Sequence, residues 1–220
     1  SIGNGAFESC SKLQSIYLPP SLMAIGDTAF SFCSSLTSIT IPSNVTYIGY
    51  LAFSHCDNIA TINYNATNCS DFGNQFYVFN DKESNAEKII INIGNNVTKI
   101  PTKFVYNMTK VYDIVIPSSV KEIGKSAFSK CSNLAEVYYE GTSLAKWNEI
   151  NIAADNTILT NAVRYYYSSV RPTVAGNYWH YVNNIPTPWS PVVIETSLTA
   201  DSSRTVENVT FPTLNAGQNS

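Results

Sequence analysis

Five cysteines and two histidines are the residues of this chain with the widest chemical repertoire. Four of the cysteines recur in near-identical stretches: "IGNGAFESCSKL" from Ile2, "IGDTAFSFCSSL" from Ile25, "IGYLAFSHCDNI" from Ile48 and "IGKSAFSKCSNL" from Ile123. A column of Cys10, Cys33, Cys56 and Cys131 could hold a metal, form a disulfide framework or fill a core. Structural zinc sites use close pairs such as C-x2-C. Here the shortest cysteine spacing is the 13 residues from Cys56 to Cys69, and His55 and His180 add no second pair. Units stacked about 4.8 Å apart would tolerate a disulfide in distance. A ladder of buried thiols facing one way, however, behaves more often as a row of small hydrophobes. One unit places Met108 in the column, which keeps apolar volume and discards thiolate chemistry. Cys10, Cys33, Cys56 and Cys131 are therefore read as reduced core residues. Cys69, outside the column, is the one candidate for a reactive or paired thiol. No metal and no cofactor is expected.

Catalysis finds little support. His55 falls in a column held elsewhere by Ser9, Phe32 and Lys130, a solvated position on which the repeat imposes no role. The nucleophile-elbow, zincin, phosphate-loop and calcium-loop patterns are all missing, and the carboxylates are scattered. The chain is read as a non-enzyme. With 13% charged residues and a net charge of −3 it carries no basic field for nucleic acid or an anionic membrane. No apolar run approaches the roughly 18 to 20 residues of a membrane span. Ser, Thr and Asn stand where Lys, Glu and Arg are usual, a neutral polar surface typical of secreted proteins. Sequons at Asn44, Asn65, Asn68, Asn96, Asn107 and Asn208 are no more than this composition produces by chance.

The elements that would position these residues come from the repeat. Ile2, Ile25 and Ile48 are 23 apart, as are Ile100 and Ile123, while Ile62 to Ile91 is a unit of 29. A fixed period in this range signals a stacked-repeat architecture. Each unit carries a four-residue apolar alternation: Ser15–Leu18, 38–41, 61–64, 90–93, 113–116 and 136–139. Alternation of period two predicts one strand per repeat, all in one sheet. Pro19, Pro42 and Pro117 close three of these strands, because proline cannot donate to a continuing ladder. Gly3, Gly26, Gly49 and Gly124 are expected at sharp turns needing positive φ. Phe7, Phe30, Phe53 and Phe128 then join the cysteines as core.

One unit cannot bury enough apolar surface to fold alone, so the array is stable only as an array with capped ends. The span 140–167 reads as the C-terminal cap, with Leu144, Trp147 and Ile150 at helical spacing before a last strand near 162–166. The chain opens inside a unit at "SIGNGAF", which suggests truncation on that side.

The joint recurrence of Ile-Gly, Ala-Phe, Cys, Leu and Ile-x-Ile-Pro resembles the BspA-like leucine-rich repeats of bacterial surface proteins, over about residues 1–167. The resemblance implies an α/β-type leucine-rich-repeat solenoid of about six or seven repeats. That fold is a curved right-handed array with a parallel sheet on the concave face, few helices, and turns on the convex side. It also implies export to the cell surface and adhesion to host proteins or other cells. The expected partners are a protein or glycan ligand, such as host extracellular matrix or mucin. The alternative is a passive spacer presenting another domain.

On such a solenoid the outward strand positions form two concave columns. One runs Ser15, Ser38, Thr61, Ile90, Asp113 and Glu136; the other runs Tyr17, Thr40, Asn63, Asn92, Val115 and Tyr138. Tyr17, Ile90, Asn92, Asp113, Val115, Glu136 and Tyr138 are the candidate binding residues, with an exposed apolar spot at Ile90, Val115 and Tyr138. The long unit offers a second surface in Phe72, Phe76, Tyr77 and Phe79, half of which are expected in the core. Residues 168–220 read as a Pro/Ser/Thr-rich linker or tail, with a candidate hairpin over 177–189 turning at Asn183-Asn184. Trp179, Tyr181 and Trp189 are either a sugar-stacking platform or, the favoured reading, docked against the cap.

Overall fold

The computed structural model describes residues 1–69, 72, 78–79 and 84–191. In chain order the repeats give β1 Ala24–Ile25, β2 Ser38–Ile41, β3 Tyr47–Ile48, β4 Thr61–Tyr64, β5 Ile90–Ile93, β6 Lys99–Ile100, β7 Asp113–Ile116, β8 Glu122–Ile123 and β9 Glu136–Tyr139. The cap follows as α1 Leu144–Trp147, β10 Asn151–Ile152, α2 Thr157–Asn161 and β11 Val163–Tyr167, then the hairpin β12 Tyr178–Val182 and β13 Ile185–Pro188. Long strands alternate outward and buried residues, as in β2 and β5. The two-residue strands end on the isoleucine of Ile-Gly or its equivalent. They pair with each other, β1 with β3 and β8 with both β6 and β10, all parallel, and Ile2 bridges Ile25 of β1. Among the described residues the units of β2, β5, β7 and β9 thus supply two strands where the sequence reading expects one, because two residues are too few to show a period.

The long strands form two parallel arrays, β2-β4-β5 and β7-β9-β11-β12, with β13 added antiparallel to the second. Their register keeps Ile39, Ile62 and Ile91 in line, so the extra six residues of the long unit are absorbed outside the strand. The expected single six-stranded sheet is corrected twice: Ser15–Leu18 forms no strand, and the ladder is interrupted between β5 and β7. Both gaps coincide with one local feature. The residue after a long strand normally donates to the preceding repeat: Asn65 N–H to Ile41 O at 3.0 Å, Gly94 to Tyr64 O at 2.9 Å, Glu140 to Ile116 O at 2.9 Å. After β2 and β7 that residue is Pro42 or Pro117, which has no N–H. A bond from Ile89 N–H to Lys110 O at 2.9 Å still joins the repeats across the second gap.

The glycines correct another expectation. Gly26, Gly49 and Gly124 do not have positive φ; two positions on, Thr28, Leu51 and Ser126 do. The glycines are needed for close approach instead. A Cβ on Gly49 would lie 2.4 Å from both Asp27 N and Asp27 Oδ1, and on Gly26 it would lie 2.4 Å from Asn4 Oδ1. These are the side chains that tie successive repeats together: Asn4 Oδ1 accepts from Asp27 N (2.9 Å), and Asp27 Oδ1 accepts from Tyr50 N (2.8 Å).

Inside the array Phe7, Phe30, Phe53 and Phe79 stack face to face, centroids 5.1 to 5.2 Å apart. Cys33, Cys56 and Cys131 are buried, and each does more than fill space. Their thiols donate to carbonyls of the preceding repeat, Phe7 O (3.1 Å), Phe30 O (3.1 Å) and Val105 O (3.0 Å). Burial, reinforced by the neighbouring cysteine, pushes the Cys33 thiol up and the Cys56 thiol to about 12, so neither is a ready nucleophile. Cys10 is a correction: it is exposed, and Phe7 only half-buried, because the first described unit is packed by a repeat on one side only. Cys69, expected as reactive or paired, is buried, as are Phe72 and Phe79. Phe76 and Tyr77, the Asn208 sequon and the tail beyond residue 191 lie outside the described residues.

Candidate functional site

The concave face divides where the ladder is interrupted between β5 and β7. Over β2, β4 and β5 it carries a ladder of small polar side chains. Asn63 Nδ2 donates to Thr40 Oγ1 at 3.0 Å, and Asn92 Nδ2 to Asn63 Oδ1 at 2.7 Å. Over β9, β11 and β12 it is aromatic, with Asp113 and Val115 of β7 between the two. Tyr138 stacks on Tyr165, its register partner in β11, at 5.3 Å, and Trp179 meets Tyr138, Tyr167 and Tyr181 edge-on at 5.5, 5.3 and 4.8 Å.

Trp179 is fully buried, with its indole N–H on Tyr139 O at 2.9 Å. It therefore docks against the cap and is unavailable to a sugar. Trp189 is half-buried, stacks on His180 at 3.7 Å, and donates to Ser168 O at 3.0 Å. The hairpin turns at Asn183-Asn184, both at positive φ (50° and 62°), as a two-residue turn of this hand requires.

Strand order puts the hairpin at the far end of its array from β5. The array nonetheless curls far enough that Tyr181, Asn184, Ile185 and Pro186 share one cavity of about 440 Å³ with residues of β5 and β7. Its apolar wall is Ile90, Val115, Ile185 and Pro186, and its polar groups include Asn92, Asn95, Asn184 and Glu140. Lys88 and Asp113 form an ion pair at one side. At another, Tyr181 donates its hydroxyl to Glu140 Oε1 at 3.0 Å, and burial followed by that carboxylate raises the phenol above its usual range.

Of the seven candidate binding residues, Ile90, Asn92, Asp113 and Val115 come together in this cavity, and Ile90 is 49% exposed. Tyr17 is 79% exposed, in a segment without strand pairing, and does not line it. Glu136 is half-buried and accepts from Tyr138 Oη at 2.6 Å and Tyr165 Oη at 3.5 Å. Tyr138 corrects the expectation of an exposed apolar spot: at 5% exposure it belongs to a second core, because Trp179 and Tyr165 cover it. Sequence reasoning missed Glu140, Asn184, Ile185 and Pro186. The Asn-Asn turn announces the hairpin but not which strands it faces.

The family described as "BspA type Leucine rich repeat region" matches the chain in 6 copies, over residues 1–135 and 83–154. No curated protein matches. Among solved structures, a leucine rich cell surface protein from Faecalibacterium prausnitzii is 19% identical with a TM-score of 0.30. The leucine rich repeat protein of T. pallidum is 22% identical with a TM-score of 0.38. A leucine-rich repeat protein from Bacteroides ovatus is 21% identical, also at 0.38. These alignments cover 68%, 76% and 76% of this chain, and 59%, 66% and 52% of theirs, so the chain spans between half and two thirds of those proteins.

Proposed function

The chain belongs to the BspA-type leucine-rich-repeat family, and from that premise we propose that it is a non-enzymatic binding module of an exported, cell-surface or secreted protein, adhesin-like in role. The observation that carries this reading is the concave cavity where Ile90, Asn92, Asp113 and Val115 meet the returning hairpin. A rod that only separates two other domains has no use for a concave mixed-polarity site on its inner face. Export is supported by the low charge and the Ser/Thr/Asn-rich surface. No described helix is long and apolar enough to cross a membrane. The proposed partners are host extracellular matrix proteins, mucin or other glycan-bearing surfaces. We also propose that the folded unit extends through the hairpin, leaving the remaining tail as a linker.

The test is binding to immobilised fibronectin, fibrinogen, mucin and a glycan panel at physiological salt, beside an Ile90→Ser variant of unchanged circular dichroism. Saturable binding that falls in the variant is the expected result. The spacer reading, which the solvated Thr40-Asn63-Asn92 ladder favours, gains if no ligand binds and the variant behaves as the parent.

A further inference from the structure

The lining of the cavity narrows what it could hold. Lys88 and Asp113 neutralise one another, and Glu140 is already engaged by the Tyr181 hydroxyl. The site thus carries a net charge near −1 with no cation to spare, which disfavours phosphate, sulfate or sialic acid. What remains is a set of amides, Asn92, Asn95 and Asn184, each able to donate and accept at once. Interleaved with them are surfaces with no hydrogen-bonding capacity, Ile90, Val115, Ile185 and Pro186, and Tyr181 also lines the cavity. The matching ligand is neutral, has paired donor–acceptor groups around its rim, and has apolar C–H faces. Those are the properties of a pyranose ring.

An extended peptide fits less well. Pairing in β12–β13 puts Ile185, Thr187 and Trp189 at the positions bonded inward, as Trp189 N–H to Tyr178 O (2.9 Å) illustrates. The alternate nitrogens, which face the open edge, belong to Pro186 and Pro188 and carry no hydrogen. The hairpin edge beside the cavity therefore offers no row of N–H groups for strand addition, the usual source of affinity for an extended peptide. A volume of about 440 Å³ lies toward the small end of ligand sites of roughly 300 to 1,000 Å³, suited to one or two rings rather than a long chain. Asn92 is also the last rung of the Thr40-Asn63-Asn92 ladder, and its bond to Asn63 Oδ1 fixes its amide plane.

We propose that the cavity between β5, β7 and the β12–β13 turn binds a neutral sugar ring, either free or as a terminal unit of a glycan. The proposal rests on the binding-module reading above. Its test is calorimetric titration of the whole chain with lactose, N-acetyllactosamine, cellobiose, maltose and chitobiose, with sialyllactose as the charged comparison. At least one neutral disaccharide should bind saturably, at one site per chain, and sialyllactose no better than lactose. Asn184→Gly should weaken binding about 3- to 10-fold with unchanged circular dichroism, since glycine adopts the φ of 62° at that position without strain. Mucin capture should be blocked by the same disaccharide and abolished by periodate treatment of the mucin, which identifies a glycan as the source.

Three results overturn the proposal. If no disaccharide binds up to about 10 mM while a matrix protein binds and is lost in Ile90→Ser, the occupant is a protein segment and the binding-module reading survives. If sugar binds equally to Asn184→Gly and Ile90→Ser, the site is elsewhere. If neither sugar nor protein binds, both readings fall.

Discussion

The two halves of the concave face both begin from the repeat, the second completed by the cap and the hairpin, and end as opposite environments. Over β2, β4 and β5 the outward residues are Ser, Thr, Asn and Ile90, and the face stays open to water. Over β9, β11 and β12 they are aromatic and close into a second core around Trp179. Beneath them the inner core changes too: Phe7, Phe30, Phe53 and Phe79 stack in parallel, whereas Phe104 meets Tyr64 and Phe128 edge-on. The lesson is that the inward residues of the repeat set the scaffold, and two outward positions per strand decide whether the face is a solvated ladder or a packed layer. The cavity lies at the seam between the two regimes, where the ladder is open between β5 and β7.

The largest test of this contrast is Trp179→Ala. Loss of a fully buried indole and its bond to Tyr139 O should destabilise the aromatic half by about 3 to 5 kcal/mol. In a repeat array the damage should stay local. Amide hydrogen exchange should lose protection at 136–139 and 163–167 while 38–41 and 61–64 hold theirs. Equal loss in both halves would break the comparison.

Gly49→Ala probes the other half. Its Cβ would meet Asp27 N and Oδ1 at 2.4 Å, and the overlap should destabilise by about 1 to 3 kcal/mol. Gly3→Ala, with nothing within 4 Å, should be nearly neutral in denaturant unfolding.

Alkaline pH should weaken both halves through different groups: the buried Cys33 and Cys56 thiols in one and buried phenols in the other. Burial first, then Glu136, holds the Tyr138 phenol far above its ordinary value of 10.0. The folded state keeps it neutral while the unfolded chain ionises. Its stabilising contribution is therefore complete below pH 10 and declines above it, at up to about 1.4 kcal/mol per pH unit. The signature is a fall in the stability of the aromatic half that Tyr138→Phe reduces, the remainder coming from the raised Tyr139, Tyr165 and Tyr181 phenols, followed by thermal melts from pH 9 to 11.

The smallest expected effect is Asn63→Ala. It removes two exposed ladder bonds and should shift stability by less than about 1 kcal/mol. A larger loss would mean the polar ladder is structural and would blur the contrast.

Much of the scaffold could be read from residue spacing. Period-two alternation located β2, β4, β5, β7 and β9, the cysteine column proved to be packed thiols from Cys33 to Cys131, and Asn183-Asn184 marked the hairpin turn. The errors share a cause. Tyr138 stands at an outward strand position and reads as exposed, yet Tyr165 and Trp179, far along the chain, cover it. Asn156 likewise looks like an ordinary polar residue of the cap. Buried, it accepts from Phe128 N at 3.0 Å and donates to Gly124 O at 2.9 Å, completing the last full repeat. The glycines were placed rightly and explained wrongly, because close approach depends on the neighbouring repeat and not on local φ.

By itself, then, the sequence determined the period, the inward core and the family, since these follow from apolar spacing and from turn residues that act within one unit. Pro42 and Pro117 each mark one lost bond to the preceding repeat, because a missing N–H is a property of the residue alone. Only the tertiary structure decided which outward residues remain in water and that a cavity exists. Both depend on how far the second array curls and on where the hairpin lands. Those are sums of contacts between distant segments, which no local pattern encodes.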